Sequence, residues 1–201
     1  LDELKKITKF KNLEKLSKDK ISLDLIMTIF PELKNVKIFS KLTLNQKLLL
    51  KDADFIFFLF LMIIDETDNV DYFLFKNKVS KKNYKRIKLI DTFYKDKTNI
   101  KKLSETYLNK FFYYEGKQAV IDILNFKLAK SKNSDGLLGK LIEKFKNKEL
   151  PIMPIKADLI MNKYKIPEGK YLGSKLKLIE KEWVNNDFQI SDQQVENIIN
   201  N

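Results

Sequence analysis

An all-α fold is what this sequence predicts, on three observations. The 201 residues contain only 5 glycines and 4 prolines, too few for the many tight turns of a sandwich or barrel. Apolar residues make up 44% of the chain, enough to build a core. They recur at helical spacing in segment after segment.

Residues 1 to 41 carry three short periodic segments: Leu4 with Ile7, Leu13 with Leu16, and Leu23, Ile26, Met27 and Phe30, the last ended by Pro31. A longer helix is expected from Leu44 to Ile64. Its final stretch, FIFFLFLMII, is apolar all round, which places it in the centre of a bundle. That run is about half the length that spans a bilayer, so it predicts a core helix. The acidic loop DETDNVD follows, with Asp68 or Asn69 placed to cap the next helix, which carries Val70, Tyr72, Phe73, Leu74 and Phe75.

Residues 76 to 102 hold eleven Lys or Arg against Asp91 and Asp96. With Ser80 as N-cap, Lys81, Lys85 and Lys88 project on one side of a helix and Ile87, Ile90 and Tyr94 on the other. From Asn99 to Ser131 the spacing gives two helices broken at Gly116, the first carrying Ile100, Leu103, Tyr107 and Phe111. The FFYY group at 111 to 114 lies beside lysines and could stack on bases. Because Phe111 and Phe112 continue apolar faces, it is expected in the core. SKNSDG is a loop in which Ser134 or Asp135 caps the helix of Leu137, Leu141 and Phe145.

The prolines of ELPIMPIK force an extended connection and mark the boundary between residues 1–150 and 151–201. Beyond it, Pro167 and Gly169 open a two-faced helix that stops at Asn185-Asn186-Asp187. At about 100° per residue, Leu172, Leu176, Ile179 and Trp183 fall within about 60°, with Lys170, Lys177 and Lys181 opposite. Gly169 is expected at helix entry and Gly173 in close packing against a neighbour. A capping-type start at Ser191 leads into a last helix with Val195, Ile198 and Ile199.

The net charge of +12 with a pI near 9.5 points to an anionic partner, nucleic acid or a membrane surface. Arg86 is the only arginine, and lysine, asparagine and isoleucine are all abundant. AT-rich coding would produce the same charge with no ligand, and the lysine runs are then solvated faces. Cysteine and histidine are absent, which removes disulfides, Ser-His and Cys-His nucleophile pairs and the usual zinc ligands. No metal site is expected. The chain opens at Leu1 with no secretory leader pattern, as a piece of a longer protein would.

Asp52-Ala-Asp54 has the form of a nucleotidyl-transfer carboxylate pair, yet on a helix residues two apart point about 200° away from each other. The acidic loop 65–71 lacks the glycine and final glutamate of a calcium loop. Gly169-Lys170 and Gly173-Ser174-Lys175 have the wrong order for a phosphate-binding loop.

PIMPIKADLIMNKYKIPEGKYLGSKLKLIEKEWVNNDF resembles the carboxy-terminal signature of bacterial CCA-adding tRNA nucleotidyltransferases, a family that includes bacterial poly(A) polymerases. Pro154, Ile155, Asp158 and Leu159 match its proline-rich element, although Lys156-Ala157 stands where the family commonly has glycine. Pro167, Gly169, Leu172, Gly173, Leu176, Glu180, Trp183, Asn186 and Phe188 match the element that follows. LDELKKITKFKNLEKL is similar to the start of the family's helical body. The resemblance implies an elongated multi-helix body, 1–150, and a carboxy-terminal helical tail, 151–201.

It also implies a cytoplasmic chain that holds tRNA by shape, with no membrane role. The family's catalytic head and neck motifs are not found in these residues, so no catalytic residue carries over. Mg2+, CTP and ATP are expected only with such a head, whether it stands upstream in a longer chain, sits on a separate polypeptide or has been lost. CCA addition and poly(A) synthesis are indistinguishable on these residues, and a basic helical scaffold without RNA is the reading from another class. Shape recognition needs cations spaced along phosphates. The RNA-binding candidates are therefore Lys81, Lys82, Lys85, Arg86 and Lys88, with Lys170, Lys177 and Lys181.

Overall fold

The computed structural model describes residues 2–96, 103–131 and 136–200. They contain fourteen α-helices and no strand, so the chain is all-α. It divides into two compact units: Leu1–Leu103 with Gln118–Asn147, and Ser104–Lys117 with Lys148–Asn201.

In the first unit, α1 (Asp2–Ile7), α2 (Phe10–Lys18) and α3 (Lys20–Ile29) are the three short segments read from the sequence. α4 (Ile38–Lys41) follows them. The helix expected from Leu44 to Ile64 is instead two, α5 (Leu44–Leu50) and α6 (Phe55–Ile63). The break arises because the Asp54 carboxylate accepts from the Phe57 amide at 2.9 Å and starts a new helix. Asp52 and Asp54 therefore sit in the connection rather than on a helix, and Asp54 is used as a cap.

α6 is buried from Ile56 to Ile63. Phe58 meets Phe10 and Phe39 at ring distances of 5.7 and 5.9 Å, and Phe60 meets Phe126 at 5.9 Å. A helix so enclosed cannot leave its last carbonyls to water. Asn35 and Asn69 close that end. The Asn35 amide donates to Met62 O at 3.0 Å and its side chain to Ile64 O at 2.7 Å, while Asn69 Nδ2 donates to Ile63 O at 2.7 Å. Asn69 thus faces inward, and the amide at the start of α7 (Asn69–Lys76) is held by Thr67 Oγ1 at 3.2 Å instead of by Asp68 or Asn69.

α8 (Lys81–Lys95) begins at Ser80, whose hydroxyl accepts from Asn83 N as the sequence predicts. α10 (Lys117–Lys130) and α11 (Gly136–Asn147) complete the unit. Buried Gln46 forms a capping box with Thr43 and donates to Leu128 O at 2.6 Å, tying α5 to the end of α10. The caps expected at Ser134 and Asp135, and the apolar position Ile100, lie outside the described residues.

Glu14 on α2 receives Lys47 and Lys18, both at 2.9 Å. Their hydrogen bonds hold its carboxyl at about 2, well below the usual range. A depressed carboxyl contributes stability above its unfolded value and loses it as pH falls through the folded one. Glu14→Gln should therefore flatten the fall in thermal midpoint between about pH 4.5 and about pH 2, a difference read directly from melting curves of the two proteins.

The second unit contains α9 (Glu105–Glu115), α12 (Ala157–Tyr164), α13 (Lys170–Asn185) and α14 (Asp192–Asn200). Its core is Ile160, Leu172, Ile179, Val195 and Ile199. Gly116 ends α9 with φ of 85°, a left-handed geometry that suits glycine. Residues 148–156 carry no helix, consistent with their prolines. Ser191 and Gln194 form the cap that starts α14.

Candidate nucleic-acid interface

The residues of 167–188 that carry the resemblance are largely structural. Trp183 is 2% exposed and meets Phe188 at 5.1 Å and Tyr113 of α9 at 5.4 Å, both edge-on. Asp187 and Phe188 both adopt left-handed conformations, φ 51° and 65°, turning the Phe188 amide back to Trp183 O at 2.8 Å. The Asp187 carboxylate then accepts from Thr106 and Asn109, and Glu180 accepts from Tyr113 OH at 2.6 Å. Burial, followed by that carboxylate, pushes the Tyr113 phenol up to about 12. Of the FFYY group, Phe112 is buried and Tyr113 joins the Trp183 cluster, so these two rings serve the core.

The two glycines of this segment, Gly169 and Gly173, behave differently. Gly169 precedes α13 at φ 156° and ψ −172°, a region essentially reserved for glycine. A Cβ at Gly173 would meet nothing within 4 Å. The close packing expected at Gly173 is thus absent, because the position lies on the exposed side of α13, about 40° from Lys177 and 60° from Lys170 on the helical wheel. Gly169→Ala should lower stability by about 1–3 kcal/mol, and Gly173→Ala should raise it by about 0.5–1 kcal/mol. Urea unfolding midpoints of the two variants check both signs.

Lys170, Lys177 and Lys181 are all exposed and make no ion pair among the described residues. Lys175, on the same helix, is buried at 6% exposure. Its ammonium donates to Ile198 O at 2.8 Å, on the last turn of α14, where the helix dipole favours a cation.

On α8 the five candidates separate. Lys81, Lys82 and Lys85 are exposed with no ion pair among the described residues. Lys88 contacts Asp71 at 2.7 Å and buried Asp91 at 3.5 Å. The Asp71 contact raises its pKa. Arg86 lies about 100° round the helix from Lys85, toward Ile90 and Phe93. It forks onto Asp122 through Nε at 2.6 Å and Nη2 at 2.8 Å, and its Nη1 reaches Asp54 at 2.5 Å. Burial pushes the Asp122 carboxyl up, with Arg86 and Gln118 drawing it back. Burial lowers the Asp54 carboxyl's preference for charge, but Arg86 and the Phe57 amide outweigh it and leave its pKa lowered. The guanidinium is spent on this network.

Beside the fork is a cavity of about 270 Å³ lined by Asp52, Asp54, Arg86, Gln118, Asp122 and Asn125, among others. Among the described residues no group of three or more His, Cys, Asp or Glu is arranged to hold a metal. No helix among them is long and apolar enough to cross a membrane. What the surface offers is two rows of unpaired ammonium groups, one in each unit, suited to polyanion contact. Every lysine of these rows is legible in the sequence; the open backbone at Gly173 is not, because it shows only in the packing. Compared with protein-family models, curated proteins and solved structures, the chain matches none.

Proposed function

We propose that this chain binds RNA, as the tRNA-holding portion of a CCA-adding tRNA nucleotidyltransferase, with the nucleotide-adding chemistry residing in a head and neck that these residues do not contain. The observation that carries the reading is the environment of Gly173. It is a signature glycine with no packing role, set among Lys170, Lys177 and Lys181 on an exposed helix face. A missing side chain inside a row of free cations lets a phosphate approach the backbone closely. The signature residues around it are spent on core and cap contacts that hold the row in place. Lys81, Lys82 and Lys85 supply a second row on the other unit.

Titrating tRNA against the chain across increasing salt tests this. Six phosphate contacts give a slope of about −4 to −5.5 for log K against log salt. Binding that ignores salt, or no binding, overturns the reading, and CTP incorporation by this chain alone overturns its non-catalytic part. Gly173→Ala should weaken tRNA binding while leaving the fold at least as stable, a combination that a purely structural glycine would not produce.

A further inference from the structure

The hairpin of α7 and α8 presents aromatic rings that no core claims. Phe75 is 93% exposed, Tyr72 64% and Tyr84 45%. None of the three makes a ring contact or side-chain hydrogen bond among the described residues. A single exposed aromatic is ordinary, but three on one hairpin forgo the stabilisation of burial and call for a partner.

Their placement follows from the helices. Only residues 77–80 separate α7 from α8, and Asp71 in the first turn of α7 touches Lys88 at 2.7 Å and Lys95 at 4.0 Å. The two helices therefore run antiparallel, and one turn beyond Asp71 carries Phe75 toward the end of α8 that holds Lys81, Tyr84 and Lys85. On the wheel of α8, Tyr84 lies within about 100° of Lys81 and Lys85. Lys78 in the connection is exposed and without an ion pair among the described residues. The acid on this surface, Asp71, is already neutralised by Lys88 and Lys95.

We propose that this hairpin is a stacking platform for unpaired bases of RNA, with Phe75, Tyr84 and Tyr72 as the faces and Lys78, Lys81 and Lys85 following the backbone. Aromatic faces interleaved with free cations are what single-stranded nucleic acid requires, because every base has a π-face and every linkage a charge. A regular duplex offers the lysines its phosphates and the rings nothing. The proposal rests on the RNA-binding reading and narrows it to an RNA with unpaired nucleotides at this unit.

The test compares a labelled oligouridylate of about 12 nucleotides with an RNA duplex of equal length, using the intact chain and the triple variant Tyr72→Ala, Phe75→Ala, Tyr84→Ala. The rings are exposed, so the variant should melt with the wild type. Expected is a loss of about tenfold or more in single-strand affinity, with duplex affinity and salt slope unchanged. Quenching of 2-aminopurine placed in the oligomer should disappear in the same variant. Unchanged single-strand affinity, or an equal loss on duplex, overturns the platform while leaving the RNA-binding reading standing. A wild-type chain that binds neither RNA overturns both.

Discussion

Arg86→Met should destabilise the first unit by about 3–5 kcal/mol, measured as a drop in the urea midpoint. The reason is the geometry of the fork. Arg86 gives two hydrogen bonds to Asp122, a residue 1% exposed, and a third to Asp54. Removing the guanidinium leaves a buried carboxylate whose remaining side-chain partner is Gln118 at 3.0 Å. Asp122 already has its carboxyl pushed up by burial, and without arginine it rises further. The sign of the pH effect follows: the group binds a proton in the folded variant before it does so unfolded, so the deficit shrinks as pH falls. Arg86→Lys should fail as well, since an ammonium cannot reproduce the two-pronged contact. The double variant Arg86→Met, Asp122→Leu should recover most of the loss, because a buried pair replaced whole costs little. A single variant as stable as the wild type would show that the pair carries no weight.

Reversing the free lysines should act on binding and not on the fold. With Lys81, Lys82, Lys85, Lys170, Lys177 and Lys181 changed to Glu, affinity for tRNA at moderate salt is expected to fall by more than about a hundredfold, and the salt slope to collapse toward zero. All six are exposed and free of ion pairs among the described residues, so the melting temperature should hold. Lys88→Glu would instead break contacts to Asp71 and Asp91 and so confound binding with folding. If the sixfold variant binds tRNA as the wild type does, the lysines are a solvated coat and the scaffold reading prevails.

Local signals made much of the fold legible. Ser80, Ser191 and Gly116 mark helix ends by chemistry contained within a few residues, and FIFFLFLMI is apolar on every side, which only a central position accommodates. The break at Asp54 was hidden because an aspartate inside an apolar run can either interrupt a helix or cap a new one, and periodicity alone does not choose. Arg86 groups with its neighbours in the sequence because charge runs read as one surface, whereas its partner Asp122 lies 36 positions away. The exposure of Gly173 is not legible, because glycine is silent about what surrounds it. The lysine rows were legible as helical faces; which of their members are free was a matter of non-local pairing.

α9 shows the same limit at the scale of the whole chain. It lies far from α13 in sequence, yet Tyr113 seats Trp183, and Thr106 and Asn109 hold Asp187. The backbone therefore passes between the two units three times, at 103–104, 117–118 and 147–148. A single cut at the proline-rich connection would not yield a self-contained tail: it would strand Trp183 and Phe188 without the ring that covers them. The segment 167–188 is accordingly not a cassette that can be lost, gained or grafted alone. Whatever lineage carries it must carry residues 104–117 with it, and substitutions at Tyr113 and Trp183 should be inherited as a pair.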